Sequence, residues 1–527
     1  MRLEHLKKLR VVLSVTIALV IALLFLDLWG WIPTPVTSAV AAFQLVPALT
    51  KTVTQVGLWT FGALFIMLLT FLFGRVYCSS ICPLGTLQDI FIRLKRMQDR
   101  RKKRRRRWFE FQRPRYALHY AVLALTVALA LGGSMVLLNV LEPFSNFGRI
   151  VQGIARPVVL SANNAAAFIL SLFGSYGVTH IPLKGMSVTT VAVPLLLLAA
   201  LATLSYRYGR FFCNTLCPAG AVLGLLSRIS LFKIVIDEAT CEDCGLCEKV
   251  CKAYCIDAET KRVEFSACVG CFNCIESCPT VGVTFTDWKF WKAWKKPRAV
   301  DDGRRAVLRS AALPVILAAA GSGDTLETGR DSLAAAGAER QRYPVTPPGG
   351  RGMEHFSQYC TACHLCISAC PTQVLVPSLF DYGLGGVFQP KLDFWTSFCN
   401  YDCTVCSEVC PSGAILSIPL EEKKLVQLGK SVFVKDDCIV ITKKTECGAC
   451  SEHCPTKAVH MVPYQEKLTL PELKNEICIG CGACEFACPT KPRKAIYVEA
   501  HYAHQKAEKP PVTKPEAKEE QLQEFPF

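Results

Sequence analysis

Cys360-x2-Cys363-x2-Cys366-x3-Cys370-Pro371 opens a run of four cysteine quartets in the last third of the chain. Cys399-x3-Cys403-x2-Cys406-x3-Cys410-Pro411 follows, then Cys438-x8-Cys447-x2-Cys450-x3-Cys454-Pro455 and Cys478-x2-Cys481-x2-Cys484-x3-Cys488-Pro489. Three close cysteines and a fourth before proline are the ligand pattern of [4Fe–4S] clusters, in which the fourth cysteine serves the neighbouring cluster. Structural zinc prefers separated Cys-x2-Cys pairs, and disulfides show no three-plus-one grouping. The spacing predicts nested exchange. Cys360, Cys363 and Cys366 pair with Cys488, and Cys478, Cys481 and Cys484 with Cys370. Cys399, Cys403 and Cys406 pair with Cys454, and Cys438, Cys447 and Cys450 with Cys410.

Outward from this module, residues 236–300 repeat the pattern as a two-cluster ferredoxin. Cys241, Cys244, Cys247 and Cys278 form one expected ligand set; Cys268, Cys271, Cys274 and Cys251 form the other. Cys251 precedes Lys252 instead of proline, and Cys255 is an alternative ligand four residues on. Six clusters thus account for 24 of the 29 cysteines. The aromatic and basic stretch Asp287–Lys296 suits a membrane-interface anchor or a packed amphipathic helix.

Residues 1–235 read as a membrane domain. Hydrophobic residues make up 51% of the chain, and its mean hydropathy is +0.29. Four apolar segments, near 11–31, 55–74, 116–138 and 187–206, approach the ~20 residues that cross a bilayer. A shorter patch at Phe168–Phe173 reads as interfacial. Eleven Lys/Arg lie between Arg93 and Arg107. Between apolar segments such a block fits a cytoplasmic loop against anionic lipid better than a nucleic-acid site. The second and fourth segments end alike, in Gly74-Arg75-x2-Cys78-x3-Cys82-Pro83-x-Gly85 and Gly209-Arg210-x2-Cys213-x3-Cys217-Pro218-x-Gly220. This is a repeat of two helical hairpins. Cys78, Cys82, Cys213 and Cys217 are candidates for a seventh cluster or for redox thiol pairs; buried apolar cysteine is the plainer alternative. Glu142, His119 and His180 lie near segment ends, where ordinary polar roles suffice.

Residues 301–350 join the halves. Arg304-Arg305 before the apolar Ser310–Gly321 is similar to a twin-arginine export signal, with a basic turn before an ordinary helix as the alternative. The four-cluster module spans 351–500, and 501–527 has the composition of a disordered tail. The expected fold is an α-helical membrane domain, α+β ferredoxin-like domains and one short helix linking them.

The duplicated Gly-Arg-x2-Cys-x3-Cys-Pro motif with a ferredoxin pair resembles the NapH-type membrane quinol dehydrogenases. The twin-arginine segment and the four quartets resemble the NapG-type ferredoxin, so the chain is similar to a fusion of the two. The resemblance implies a multi-pass protein of the bacterial inner membrane, with the first ferredoxin domain cytoplasmic and the second periplasmic. It implies quinol as substrate, the quinone pool and a separate terminal redox protein as partners, and no nucleic acid. A redox accessory factor, reducing a metal or disulfide during maturation of another enzyme, is the alternative function.

Overall fold

The computed structural model describes residues 4–55, 57–101, 111, 115–185, 187–287, 343–465 and 467–510. The twin-arginine segment, most of the Asp287–Lys296 stretch, part of the basic loop and the end of the tail lie outside them.

The amino-terminal half is helical because its sequence is apolar on nearly every face. α1 (Glu4–Leu26) exposes Val12, Leu19 and Leu23 while burying Ile21 and Phe25. A helix with apolar residues on both its exposed and its buried faces fits lipid on one side and protein on the other. Among the described residues three helices are long and apolar enough to cross a membrane: His5–Leu26, Pro143–Leu172 and Val188–Tyr208. The pair α2 (Thr34–Ala42) and α3 (Leu45–Thr54), bent by 106°, makes a fourth if counted as one broken span. The first and fourth expected segments therefore appear as expected. The second and third are shorter helices, α4 (Leu58–Phe73) and α5 (Tyr116–Leu131). Gly132 and Gly133 end α5 early; Gly133 has φ +80, a conformation that glycine tolerates. Phe168–Phe173, read as a separate interfacial patch, instead includes the end of the 30-residue helix.

That long helix has three parts. Pro143–Ile150 begins it under the Glu142 carboxylate, which accepts hydrogen bonds from the Phe144 and Ser145 amides. A π-helical turn at Val151–Ala155 follows, and Arg156–Leu172 completes it.

The ferredoxin parts are built from short antiparallel pairs that bracket cysteine loops. β1 (Lys233–Ile236) pairs with β4 (Val283–Thr286), enclosing the small hairpin of β2 (Ile256–Asp257) and β3 (Arg262–Val263). In the second module β5 (Leu375–Pro377) pairs with β6 (Pro390–Leu392), and β8 (Val459–Pro463) with β9 (Thr469–Leu473). β7 (Val426–Phe433) and β10 (Ile496–Lys506) join its carboxy-terminal part.

Both modules dock on the helices, at opposite ends of α1. Lys7 forms an ion pair with Glu276 of the first ferredoxin. Phe25 packs on Gly148, where an added Cβ would also meet the Cys363 carbonyl at 2.5 Å. Eighteen residues at 1.5 Å rise separate Lys7 from Phe25, about 27 Å.

Candidate iron–sulfur sites and their connection

In the four quartets with regular Cys-x2-Cys-x2-Cys spacing, the residues on both sides of the second cysteine take left-handed backbone angles. They are Asp243 and Gly245, Gly270 and Phe272, Ala362 and His364, and Gly480 and Gly482. Alternation of this kind turns successive amide N–H groups inward and makes an anion-binding concavity, a device found at Fe–S sites. Thr404 and Gly448, in the two quartets with x3 and x8 gaps, have φ near −120° instead. At the closing position, Cys278, Cys370, Cys410 and Cys488 are extended, with ψ between 114° and 122°. The following proline enforces that conformation.

The cysteines surround spaces. Cys360, Cys363, Cys366 and Cys410 line one common space. Cys370, Cys399, Cys403 and Cys406 line a second, and Cys438, Cys447, Cys450 and Cys488 a third. Cys454 is an electrostatic neighbour of Cys481 and Cys484. The exchange is therefore sequential, first quartet with second and third with fourth, and the nested pairing is overturned. The β5–β6 hairpin closes the short path between quartets one and two, and short loops are the least costly to close. Among the described residues no three His, Cys, Asp or Glu converge tightly enough for a single ion.

A cavity ringed by four thiols fits a cubane. Burial pushes the Cys363 and Cys481 thiols up to about 12 and the Cys399 thiol up to about 11. Such thiols ionise when a positive centre binds them.

Five closing cysteines share a feature that the quartet reading passed over. A hydroxyl stands two residues beyond each: Thr280, Thr372, Ser412, Thr456 and Thr490, with S···O distances between 3.0 and 3.8 Å. The repeated Cys-Pro-(Thr/Ser) was visible in the sequence and would have found them.

In the first ferredoxin both candidate ligands lie at the same site. The Cys251 and Cys255 sulfurs are 3.4 Å apart, and Cys255 also interacts with Cys268. Lys252, where proline stands elsewhere, has a docking role. Its ammonium pairs with Asp89 at 2.5 Å, and its carbonyl accepts the Arg210 amide at 3.0 Å. Burial alone would raise the Asp89 carboxyl, but Arg210 and Lys252 outweigh it and hold the group well below the usual carboxylate range.

The duplicated motif closes on itself by exchange. Arg75 donates to the Cys213 carbonyl at 2.9 Å, and Arg210 to the Cys78 carbonyl at 3.0 Å. Each arginine also faces the first sulfur of its own repeat, at 4.0 and 3.9 Å. A Cβ on Gly85 would lie 2.2 Å from the Cys78 carbonyl oxygen, and one on Gly220 at 2.2 Å from that of Cys213. Arginine, cysteine and glycine in the motif are thus one pseudo-symmetric unit. All four cysteines are buried, and each is an electrostatic neighbour of Cys217 or is Cys217 itself. Arg75 also donates to the Ser266 carbonyl at 2.7 Å, tying the site to the ferredoxin loop. His119 Nε2 lies 3.1 Å from the Cys217 carbonyl, so this histidine belongs to the site's wall. His180 is exposed.

On the far side, Tyr77 donates to Gln44 Oε1 and accepts from the Leu45 amide, both at 3.1 Å. Tyr77 neighbours Cys82 and Glu142, and Glu142 neighbours Cys363. Lys51 donates to the Cys410 carbonyl at 2.6 Å. The gap can be read on α1: Ser14 bonds Thr86 beside the four thiols, and Phe25 packs near Cys363. Eleven residues separate them, about 16 Å. Farther out, Cys399 donates its amide to the Cys481 carbonyl at 2.9 Å, joining the two halves of the module.

A 4Fe-4S binding domain model matches residues 55–107 and 189–236, the two copies of the duplicated motif. The chain is similar to NapH-type polyferredoxins. Two 4Fe-4S dicluster models match the chain at 359–415 and 443–492, the same division that the cavities give. The ferredoxin-type protein NapH of Haemophilus influenzae is 27% identical over 226 residues, covering 41% of this chain and 64% of that protein. YccM of Escherichia coli, whose name marks it as a proposed electron-transport protein, is 28% identical over 223 residues, 42% of this chain and 53% of YccM. The uncharacterized MJ0749 of Methanocaldococcus jannaschii is 33% identical over 114 residues, 22% of this chain and 45% of that protein. The aligned region thus spans about half the length of the first of these relatives. No solved structure matches. Together these findings give the chain several 4Fe-4S binding regions beside apolar helices of membrane-crossing length.

Proposed function

We propose that the chain carries electrons from quinol through [4Fe–4S] clusters on both faces of the bacterial inner membrane to a separate redox enzyme. The observation that carries this is the order of the cysteine groups. The first ferredoxin touches the Cys78/Cys82/Cys213/Cys217 site through Arg75, and about 16 Å beyond that site stands the Cys360 group. The Cys370 and Cys478 groups follow, joined at Cys399 and Cys481, and the Cys438 group comes last.

Bound clusters supply one-electron storage at each station. The chain's residues hold and separate them. Cys241, Cys244, Cys247 and Cys278 hold one cluster of the first ferredoxin. Cys268, Cys271 and Cys274 hold the other with Cys251 or Cys255. The three cavity groups hold three more, Cys454 with Cys478, Cys481 and Cys484 a fourth, and the duplicated motif a seventh. Arg75 and Arg210 stand beside its sulfurs and offset thiolate charge. Loops rich in Lys/Arg support a cytoplasmic first ferredoxin, and the docking of the two modules at opposite ends of α1 supports a periplasmic carboxy-terminal module.

The test is quinol-driven reduction of the clusters in anaerobic proteoliposomes, with a water-soluble reductant as control. The wild type should be reduced by both. Replacing Cys82 and Cys217 with Ser should stop electrons passing between the two ferredoxin modules while the other six clusters stay filled. Unchanged passage in the double variant removes the duplicated motif from the path.

A further inference from the structure

Among the described residues the three largest fully buried side chains are all arginines: Arg75, Arg149 and Arg210. Arg75 and Arg210 stand beside the sulfurs of the duplicated motif. Arg149 lies on the first part of the long helix, one residue past the point where Gly148 abuts the Cys363 carbonyl. A charge buried in a protein is costly unless an opposite charge stands near it.

The hydrogen bonds of Arg149 account for one nitrogen. Nη2 donates to the Asn139 carbonyl and to Asn146 Oδ1, the latter at 2.7 Å. Nε and Nη1 are buried without a partner. The carboxylate near it is Glu142, but the Phe144 and Ser145 amides take up both its oxygens. The other electrostatic neighbours of Arg149 are Cys360 and Cys363, two of the four thiols around the first space of the carboxy-terminal module. One face of the guanidinium meets the Phe388 ring, 4.8 Å from its centroid. Phe388 holds φ +68, a left-handed angle that bulky residues rarely adopt. Such strain persists only where the surroundings fix it, commonly at functional sites. His364, next to Cys363, fixes it here: its Nε2 lies 2.8 Å from the Phe388 carbonyl. Ring, cysteine loop and guanidinium are one packed group.

We propose that Arg149 is the fixed counter-charge of the cluster held by Cys360, Cys363, Cys366 and Cys410, a role that rests on the cluster assignment proposed above. Four thiolates make such a cluster an anion, and each electron it takes adds negative charge. Cluster potentials follow net charge and solvent exposure. A guanidinium keeps its proton throughout. It therefore stabilises the reduced cluster and raises its midpoint potential with no proton taken up. One electron enters from a neighbouring site and the same electron leaves. Buried charges are screened little by salt, so the effect is not lost to the solvent. The raised potential favours passage from the duplicated motif, about 16 Å away, into the carboxy-terminal module.

The test is an EPR-monitored redox titration of the full chain with its clusters in lipid nanodiscs. Cys363→Ser marks which signal belongs to this cluster. Arg149→Gln should make its reduction at least tenfold less favourable, a midpoint lower by about 59 mV for one electron, and leave the other midpoints in place. Arg149→Lys, which keeps the charge, should stay within about threefold of the wild type. An unchanged midpoint in Arg149→Gln overturns the counter-charge. So does an equal drop in Arg149→Lys, because the cluster then responds to shape and not to charge. If Arg149→Gln loses this signal, Arg149→Lys decides: the signal at the wild-type midpoint supports the charge, and loss in both makes Arg149 a packing residue and overturns its role. A wild type whose iron content and EPR show no cluster at these cysteines overturns the cluster assignment and the inference with it.

Discussion

Thr490 lies 3.0 Å from the Cys488 sulfur, the shortest of the five hydroxyl contacts after closing cysteines. A hydrogen bond to a ligand sulfur favours the more negative, reduced cluster, and cluster potentials follow such bonds. Thr490→Val should lower the midpoint potential of the cluster held by Cys438, Cys447, Cys450 and Cys488 and leave the others in place; EPR-monitored redox titration reads the change. Gly220 belongs to the same scale. A methyl there would meet the Cys213 carbonyl oxygen at 2.2 Å and an Arg75 nitrogen at 2.9 Å. Overpacking of this kind costs about 1–3 kcal/mol. Gly220→Ala should therefore lower the melting temperature in detergent, and Gly85→Ala should do the same, because the two repeats are equivalent. An effect in only one would break the pseudo-symmetry argument.

Among elements, the junction of the first ferredoxin with the helix Pro83–Arg101 turns on one carboxylate. Asp89 is paired with Arg210, Lys252 and Arg10 at 2.7, 2.5 and 3.3 Å. Arg210, Lys252 and Arg10 are all buried. Removing one partner of a buried pair costs about 3–5 kcal/mol, because the opposite charge stays unpaired. Asp89→Asn should loosen this junction, seen as faster hydrogen exchange at 250–256 and 208–212, while the β5–β6 hairpin keeps wild-type protection. Uniform loss of protection would mean that the substitution unfolds the chain. The bent pair α2–α3 works at the other end. Its Gln44 and Leu45 meet Tyr77, and its Lys51 meets Cys410. The segment 34–54 has Lys51 as its one charged residue, and it connects the thiol site to the second module.

For the whole molecule, the placement of the modules at opposite ends of α1 predicts opposite sides of the membrane. Single cysteine-reactive tags at the exposed Glu259 and Glu421 should respond to impermeant reagent from opposite faces of intact cells and inverted vesicles. Labelling of both from one face would return the chain to a one-sided arrangement. Metal content checks the full set: serine at Cys78, Cys82, Cys213 and Cys217 together should remove about four iron atoms per chain.

The cysteine spacings by themselves determined the cofactor class, the location of both ferredoxin modules and the repeat in the helical half. Each is a local pattern within at most 17 residues, where ligand geometry and the Cys-Pro backbone leave little freedom. Which quartet completes which cluster was not local. Quartets one and four have equal spacing, so nesting reads as well as sequence order until the β5–β6 hairpin brings Cys410 to the Cys360 group. The same holds for Lys252, an apparent defect in a motif until Asp89, 163 residues earlier, is seen beside it. From sequence, Arg75 and Arg210 could equally offset thiolate charge or mark the membrane boundary, whereas the tertiary structure sends each to the other repeat's cysteine carbonyl. Spacing fixes the ligands that lie within one loop. Contacts between loops depend on how apolar helices and short hairpins pack, and packing is decided by the folded chain as a whole.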